Sequence, residues 1–159
     1  MTQPAHLHPD RLFPASEPAQ SIARDLYPAV KDLPIVSPHG HTDPSWFAQN
    51  GRFASPTALF LTPDHYVLRM LADALGIPRK DGKPVETDGR KAWRLFADNY
   101  YLFAGTPSKT WVDHSLHAVF GITEELSGKT ADSIYDAIDV KLGAPELLLI
   151  AIVALIVVG

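Results

Sequence analysis

Apolar residues recur every three or four positions in several segments between residues 63 and 142, which places them on one face of a helix. Four segments show this pattern, and each predicts an amphipathic helix whose apolar face lies in a core. An earlier segment, residues 18–27, predicts another helix that Pro28 ends or kinks. The predicted inward-facing residues are Ile22, Ala23 and Leu26; Val67, Met70, Leu71, Ala74 and Leu75; Trp93, Phe96, Ala97, Tyr100 and Phe103; Val112, Leu116, Val119 and Phe120; and Ile134, Ile138 and Leu142.

The boundaries of these helices carry a repeated signal, a capping residue followed by proline at the first helical position. The pairs with this signal are Asp43-Pro44, Ser55-Pro56, Thr62-Pro63 and Thr106-Pro107. Glycines that close a helix in the left-handed conformation are predicted at the other ends. These are Gly51, Gly76, Gly105 and Gly121. The pattern predicts a mainly helical chain, interrupted by a polar loop over residues 78–90.

One segment in the first half has the pattern of a strand. Leu33 to Pro38 is short, β-branched and bounded by prolines, and His39 and His41 follow it directly. Side chains two apart in an extended chain point to the same side, and Gly40 leaves room between the imidazoles. Both rings can therefore reach one metal ion. A bare H-x-H pattern also fits a pair of solvated histidines, and this alternative stays open at this point.

The chain ends in an unbroken apolar run of 12 residues, Leu147 to Val158. As a helix this run would reach about 18 Å, whereas the hydrocarbon core of a bilayer is about 30 Å thick. We expect a buried strand or a terminal helix rather than a convincing membrane span. The tail also leaves one hypothesis open for the function of the whole chain. In that hypothesis the chain is a non-catalytic helical protein whose tail docks to a membrane or to a partner.

The composition of the chain limits its possible partners and metal ligands. The 159 residues are enough for one domain with a core, and the net charge of −4 offers no basic surplus for a nucleic acid backbone. Because cysteine is absent, a metal must be bound by histidine, aspartate or glutamate. The amino terminus, MTQPAHLHPDRLFP, lacks the basic start and apolar core of a secretory signal, which predicts a cytoplasmic protein.

Three stretches together resemble a known family. They are DLPIVSPHGHTDP, then TPDHYVLRML, then KAWRLFADNYYLFAGTPSKTWVDHSLHAVFGI. Over about residues 7–146 the chain resembles the amino-terminal part of uronate isomerase, also called glucuronate isomerase. The resemblance implies the amidohydrolase superfamily of metal-dependent (β/α)₈ barrels. The expected fold is a mainly α, amino-terminal fragment of such a barrel.

The resemblance also implies a division of the chain. A segment with a lead helix occupies residues 1–33, and the first barrel strand with its H-x-H motif occupies residues 34–42. A helical insertion follows over residues 43–143. The apolar tail, residues 144–159, departs from the family pattern after Glu146, and we expect a frame change or a truncated gene at that point.

Site residues follow from the same resemblance. His39 and His41 match a metal-ligand pair for a divalent ion, with Zn²⁺ the first choice, and Tyr66 matches a catalytic tyrosine. Asp64, His65 and Arg69 match the residues around that tyrosine and are candidates for substrate binding. The structural alternative is a capped helix start, with Thr62 as the N-cap, Asp64 in the first turn, and His65 and Arg69 on a solvent-facing surface.

The implied reaction is aldose–ketose isomerisation of hexuronates, D-glucuronate to D-fructuronate and D-galacturonate to D-tagaturonate. A (β/α)₈ barrel needs about 200 residues or more, so this chain is expected to be inactive alone. A hydrolase with the same H-x-H pair is a further alternative, which the D-H-Y motif and the Trp111 to Ile122 helix end disfavour. For the complete enzyme, the possibility of an oligomer stays open.

Overall fold

The structure is a computed structural model that describes residues 8–34, 44–49, 51–75, 79–80, 83–84 and 88–142. The chain divides into two compact units, residues 1–40 and residues 41–159. The predicted strand from residue 35 onward, His39, His41 and the apolar tail lie outside the described residues.

The first unit contains helix α1, Glu17–Leu26, which continues into a 3₁₀ turn, Tyr27–Ala29. Proline in the first turn of α1 suits a position where no backbone N–H is needed. The predicted helix is confirmed, but the prediction that its apolar side chains point inward is wrong. Ile22 is 58% exposed and Leu26 is 65% exposed, and α1 contains no buried residue.

The second unit is helical over most of its described residues. A two-residue antiparallel hairpin pairs Arg79 with Pro84 and Lys80 with Lys83, inside the segment predicted to be a loop. The loop prediction is therefore wrong for these four residues, because a polar sequence can still form a short pair of hydrogen-bonded strands. The elements are α2 Pro44–Gln49, α3 Pro56–Phe60, α4 His65–Leu75, β1 Arg79–Lys80, β2 Lys83–Pro84, α5 Gly89–Asp98, a 3₁₀ helix Tyr100–Phe103, α6 Pro107–Ala118 and α7 Ala131–Leu142.

Several predicted boundaries are confirmed at the level of individual hydrogen bonds. The Ser55 hydroxyl accepts from the Ala58 N–H at 3.1 Å, and the Thr106 hydroxyl accepts from the Lys109 N–H at 3.3 Å. Each bond satisfies one amide that the first turn of a helix leaves unpaired. Gly105 and Gly121 adopt φ of +78° and +65°, the left-handed region where a side chain would be strained.

The core of the second unit lies between α3, α5, α6 and α7. Trp93, Phe96 and Phe103 are fully buried, and the Trp93 indole N–H donates to the Ala131 carbonyl at 2.9 Å. The predicted apolar faces from Trp93 to Leu142 are buried as expected. On α4 the prediction fails at Ala74 and Leu75, which are exposed near the end of the helix.

Candidate functional site

Helix α4 carries the described members of the predicted site, and its first turn is fixed by Asp64. One carboxylate oxygen of Asp64 accepts from the Tyr66 N–H at 2.9 Å and from the Val67 N–H at 3.1 Å. Asp64 is therefore the N-cap. The prediction that Thr62 is the N-cap is wrong, because its hydroxyl donates to the Thr57 carbonyl at 3.3 Å instead.

The inner face of α4 anchors the helix to the core. Val67 is 1% exposed and Leu71 is 4% exposed, while Ala72 is also buried. Because these side chains hold one face inward, the residues offset by about half a turn project outward. Tyr66 lies on that outward side with 56% of its surface exposed.

His65, Tyr66 and Arg69 form one group on the exposed side of α4, called here the α4 cluster. The ring centroids of His65 and Tyr66 lie 4.1 Å apart, and the Arg69 guanidinium carbon lies 5.4 Å from the Tyr66 ring centroid. The second distance is that of a cation–π contact. The structure thus brings together the three residues that the sequence predicted to lie beside one another.

The α4 cluster has the functional groups that a small, acidic, hydroxylated ligand requires. A guanidinium binds a carboxylate through two parallel hydrogen bonds, while a phenol and an imidazole both donate and accept protons. The Asp64 carboxylate, by contrast, holds the two backbone amides that fix the Tyr66 position. Its capping role is shown, and its contact with substrate stays a prediction.

The predicted metal pair stays a prediction, since His39 and His41 lie outside the residues that the structure describes. Within the part of the chain that is described, no group of three or more histidine, aspartate or glutamate residues is arranged to hold a metal ion. Catalytic zinc usually has three protein ligands. The described residues therefore form no complete metal site among themselves.

A buried polar group that the sequence did not predict lies in the second unit. The Tyr100 hydroxyl donates to the Asp113 carboxylate at 2.9 Å, and the Lys109 ammonium binds the same carboxylate at 3.0 Å. Burial, followed by the charge of Asp113, raises the pKa of Tyr100, so that the hydroxyl stays protonated as a donor. The only signal in the sequence is the four-residue spacing of Lys109 and Asp113 on one helix. Because all three groups satisfy one another, their role is structural.

Comparison with known proteins assigns the chain to a family. The glucuronate isomerase family matches residues 17–158, a range that extends beyond Glu146 into the apolar tail. Uronate isomerase from Brucella canis is 52% identical over 147 residues, which are 89% of this chain and 32% of that protein. Uronate isomerase from Phenylobacterium zucineum is 54% identical over 151 residues, covering 91% of this chain and 31% of that protein.

Comparison with solved structures leads to the same family. The crystal structure of glucuronate isomerase from Caulobacter crescentus superposes with a TM-score of 0.78 at 49% identity, covering 89% of this chain and 31% of that one. The uronate isomerase of Thermotoga maritima gives a TM-score of 0.71 at 28% identity, covering 86% of this chain and 29% of that one. This chain thus spans about a third of the length of the relatives it matches. None of the helices described is long and apolar enough to cross a membrane, and no comparison supports the alternative of a docking protein. Sequence and structure agree that this chain belongs to the glucuronate isomerase family.

Proposed function

We propose that this chain supplies the amino-terminal third of a uronate isomerase, an intramolecular oxidoreductase that interconverts aldoses and ketoses. Its reactions would be D-glucuronate to D-fructuronate and D-galacturonate to D-tagaturonate. The observation that carries the proposal is the identity of 52–54% to proteins named uronate isomerase over about nine-tenths of the chain. The same proposal includes two finer expectations. One is that the chain contains the first barrel strand of an amidohydrolase-type (β/α)₈ fold, and the other is a cytoplasmic location.

The reaction moves a proton between C2 and C1 of an open-chain hexuronate through an enediol. Such a transfer needs a positioned acid or base and a donor to the oxygen on which charge develops. In the proposal Tyr66 is that donor, because the Asp64 carboxylate holds its backbone N–H at the start of α4 while its side chain is exposed to a ligand. Arg69 and His65, which contact the same ring, bind the carboxylate and hydroxyl groups of the substrate.

A divalent metal fits this proposal only in part. His39 and His41 would hold it, and their two imidazoles are one fewer than the three protein ligands usual for catalytic zinc. When bound, such an ion polarises a carbonyl and orients the neighbouring hydroxyl. The described residues hold no group of three or more such ligands by themselves, and the proposal assigns two ligands and the α4 cluster to this chain.

The test is turnover of D-glucuronate with added Zn²⁺, first by the purified 159-residue chain and then by this chain co-expressed with the remaining two-thirds of the Caulobacter crescentus protein. We expect no turnover by the chain alone and measurable turnover by the pair. His39→Ala and Tyr66→Phe should each lower the turnover of the pair at least tenfold. Tyr101→Phe, at an exposed tyrosine far along the sequence from the site, is the matched control.

Two results would contradict the proposal. Turnover by the isolated chain would show that one-third of the family's length is sufficient for activity. Equal turnover with tyrosine and phenylalanine at residue 66 would remove the catalytic role of the phenol. The frame change expected after Glu146 stays a prediction, and sequencing the coding DNA beyond that codon tests it.

A further inference from the structure

Asp64 uses its side chain and both of its backbone polar groups at the start of α4. One carboxylate oxygen accepts from the Tyr66 and Val67 N–H groups at 2.9 and 3.1 Å. The Asp64 N–H donates to the Leu61 carbonyl at 3.1 Å, and the Asp64 carbonyl accepts from the Leu68 N–H at 3.1 Å. The backbone on either side of Tyr66 is therefore hydrogen-bonded to a single residue.

Two hydrogen-bond partners of Asp64 belong to the core of the second unit. The side chains of Leu61 and Val67 are each 1% exposed. Because one carboxylate oxygen holds the amides of both Val67 and Tyr66, the backbone of the exposed tyrosine is fixed relative to buried side chains. A reacting group that is misplaced by about 1 Å can lose about a hundredfold in rate, so this fixation matters to the proposed reaction.

The two amide contacts use the Asp64 side chain as a hydrogen-bond acceptor, and this role needs no negative charge. Asparagine, serine and aspartate supply the acceptor oxygen of an N-cap about equally well. A carboxylate placed beside the acid group of a hexuronate would bring like charges together. The contacts therefore favour a role toward the backbone over a role toward the acid group of the substrate.

We infer that Asp64 is a positioning residue of the proposed isomerase, which acts on the reaction only through Tyr66. Its acceptor oxygen, and not its charge, is the feature that the reaction requires. The inference rests on the proposed function, because it needs Tyr66 to be the donor to the substrate oxygen. It replaces the expectation that Asp64 itself binds substrate.

The first measurement uses the full 159-residue chain alone and needs no turnover. Hydrogen exchange followed by NMR reports on the Tyr66 and Val67 amides in the natural chain, in Asp64→Asn and in Asp64→Ala. We expect Asp64→Ala to exchange both amides about 2- to 30-fold faster, the range that corresponds to the loss of a helix cap. Asp64→Asn retains an acceptor oxygen and should stay within about twofold of the natural chain.

Asp88 provides the matched control, because it caps α5 in the same way. One of its carboxylate oxygens accepts from the Arg90 and Lys91 N–H groups at 2.9 and 3.2 Å. Asp88→Ala thus removes an equivalent cap from a helix that carries no residue of the α4 cluster. It should leave the exchange of the Tyr66 and Val67 amides unchanged.

The second measurement is turnover of D-glucuronate by this chain co-expressed with the remaining two-thirds of the Caulobacter crescentus protein. We expect Asp64→Ala to lower kcat about tenfold or more with KM nearly unchanged, because the change misplaces a group that acts in the transition state. Asp64→Asn and Asp88→Ala should keep kcat within about twofold of the natural value. In the Tyr66→Phe background, Asp64→Ala should cause no further loss beyond about twofold, since residues that act through one group are not additive.

Asp64→Asn keeps the inference testable if Asp64→Ala does not fold, a property that far-UV circular dichroism checks for each variant. A substrate contact made by the charge would lower the turnover of Asp64→Asn at least tenfold. A positioning role leaves that turnover nearly unchanged.

Three results would overturn the inference. Equal amide exchange in the natural chain and in Asp64→Ala would mean that the carboxylate does not hold Tyr66. Equal loss of turnover in Asp64→Asn and Asp64→Ala would mean that the charge contacts substrate. A tenfold loss with Asp64→Ala that persists in the Tyr66→Phe background would mean that Asp64 does not act through the phenol. Turnover that is absent from the natural pair, or unchanged by Tyr66→Phe, contradicts the proposed function, while the exchange rates still decide whether Asp64 holds Tyr66.

Discussion

Replacing Tyr100 with phenylalanine removes a single hydroxyl from the buried group that joins the 3₁₀ helix to α6. Tyr100 is 2% exposed and Asp113 is 7% exposed, so that water does not readily replace the lost donor. The hydroxyl also lies 3.2 Å from the Lys109 carbonyl. The aromatic ring is retained, and with it the contact of the Lys109 ammonium, 4.4 Å from the ring centroid. The substitution therefore isolates the hydrogen bonds of the hydroxyl.

The expected loss in the free energy of unfolding depends on the polar groups that remain after the substitution. A hydrogen bond to a charged group contributes about 1.5–3 kcal/mol, and a buried acceptor that loses its donor also retains its desolvation penalty. Lys109 continues to bind the Asp113 carboxylate at 3.0 Å, which places the expected loss within that range and not above it. For a chain of this size, the same loss lowers the melting temperature by about 3–12 °C.

The assay is urea unfolding followed by tryptophan fluorescence, since Trp93 is fully buried in the same unit. Tyr101→Phe is the matched control, because it makes the same substitution one residue along at a side chain that is 68% exposed. It should change the free energy of unfolding by less than about 0.5 kcal/mol. Equal effects of the two substitutions would refute the account of Tyr100 as a structural donor.

Two further predictions concern surface electrostatics and backbone conformation. Hydrogen bonds first from Arg94 and then from Arg90 lower the pKa of Asp132 below its usual 3.8, so its stabilising contribution is present above about pH 4 and is lost as the pH falls through the lowered pKa. The difference in melting temperature between the natural chain and Asp132→Asn should accordingly be constant from pH 5 to 7 and shrink below about pH 4; a difference that grows in acid would contradict it. Gly121→Ala should destabilise the chain by about 1–2 kcal/mol in urea, because φ is +65° there. Gly51→Ala has open space around the added methyl and no left-handed φ, and an equal loss at both glycines would show that backbone strain is not the cause.

Short-range features of the fold were predictable from the sequence because their causes are local. Ser55 and Thr106 stand directly before prolines, and both cap helices as expected. On α5, spacing alone places Trp93, Phe96 and Ala97 on one side of the helix, and these are its buried residues. At α4 the same local rule pointed to Thr62, whereas the helix begins after Asp64, whose carboxylate reaches two amides at once.

For the candidate site, the sequence predicted the neighbours Asp64, His65, Tyr66 and Arg69 through a family motif and not through geometry. The structure added the separation of their roles, with Asp64 holding the backbone and the other three grouped on the exposed side. The pairing of His39 and His41 in one metal site stays a prediction, because neither histidine lies among the described residues.

The sequence by itself determined which segments are helical and which face of each is apolar, since both follow from spacing along the chain. Only the tertiary structure decided which apolar faces are covered. Trp93 on α5 is fully buried, while Ile22 on α1 is 58% exposed, although both stand at apolar positions of amphipathic helices. It also decided that Tyr100 donates to Asp113 across 13 residues. Burial and long-range pairing depend on what lies opposite a side chain, and periodicity along one segment carries no information about its neighbour in space.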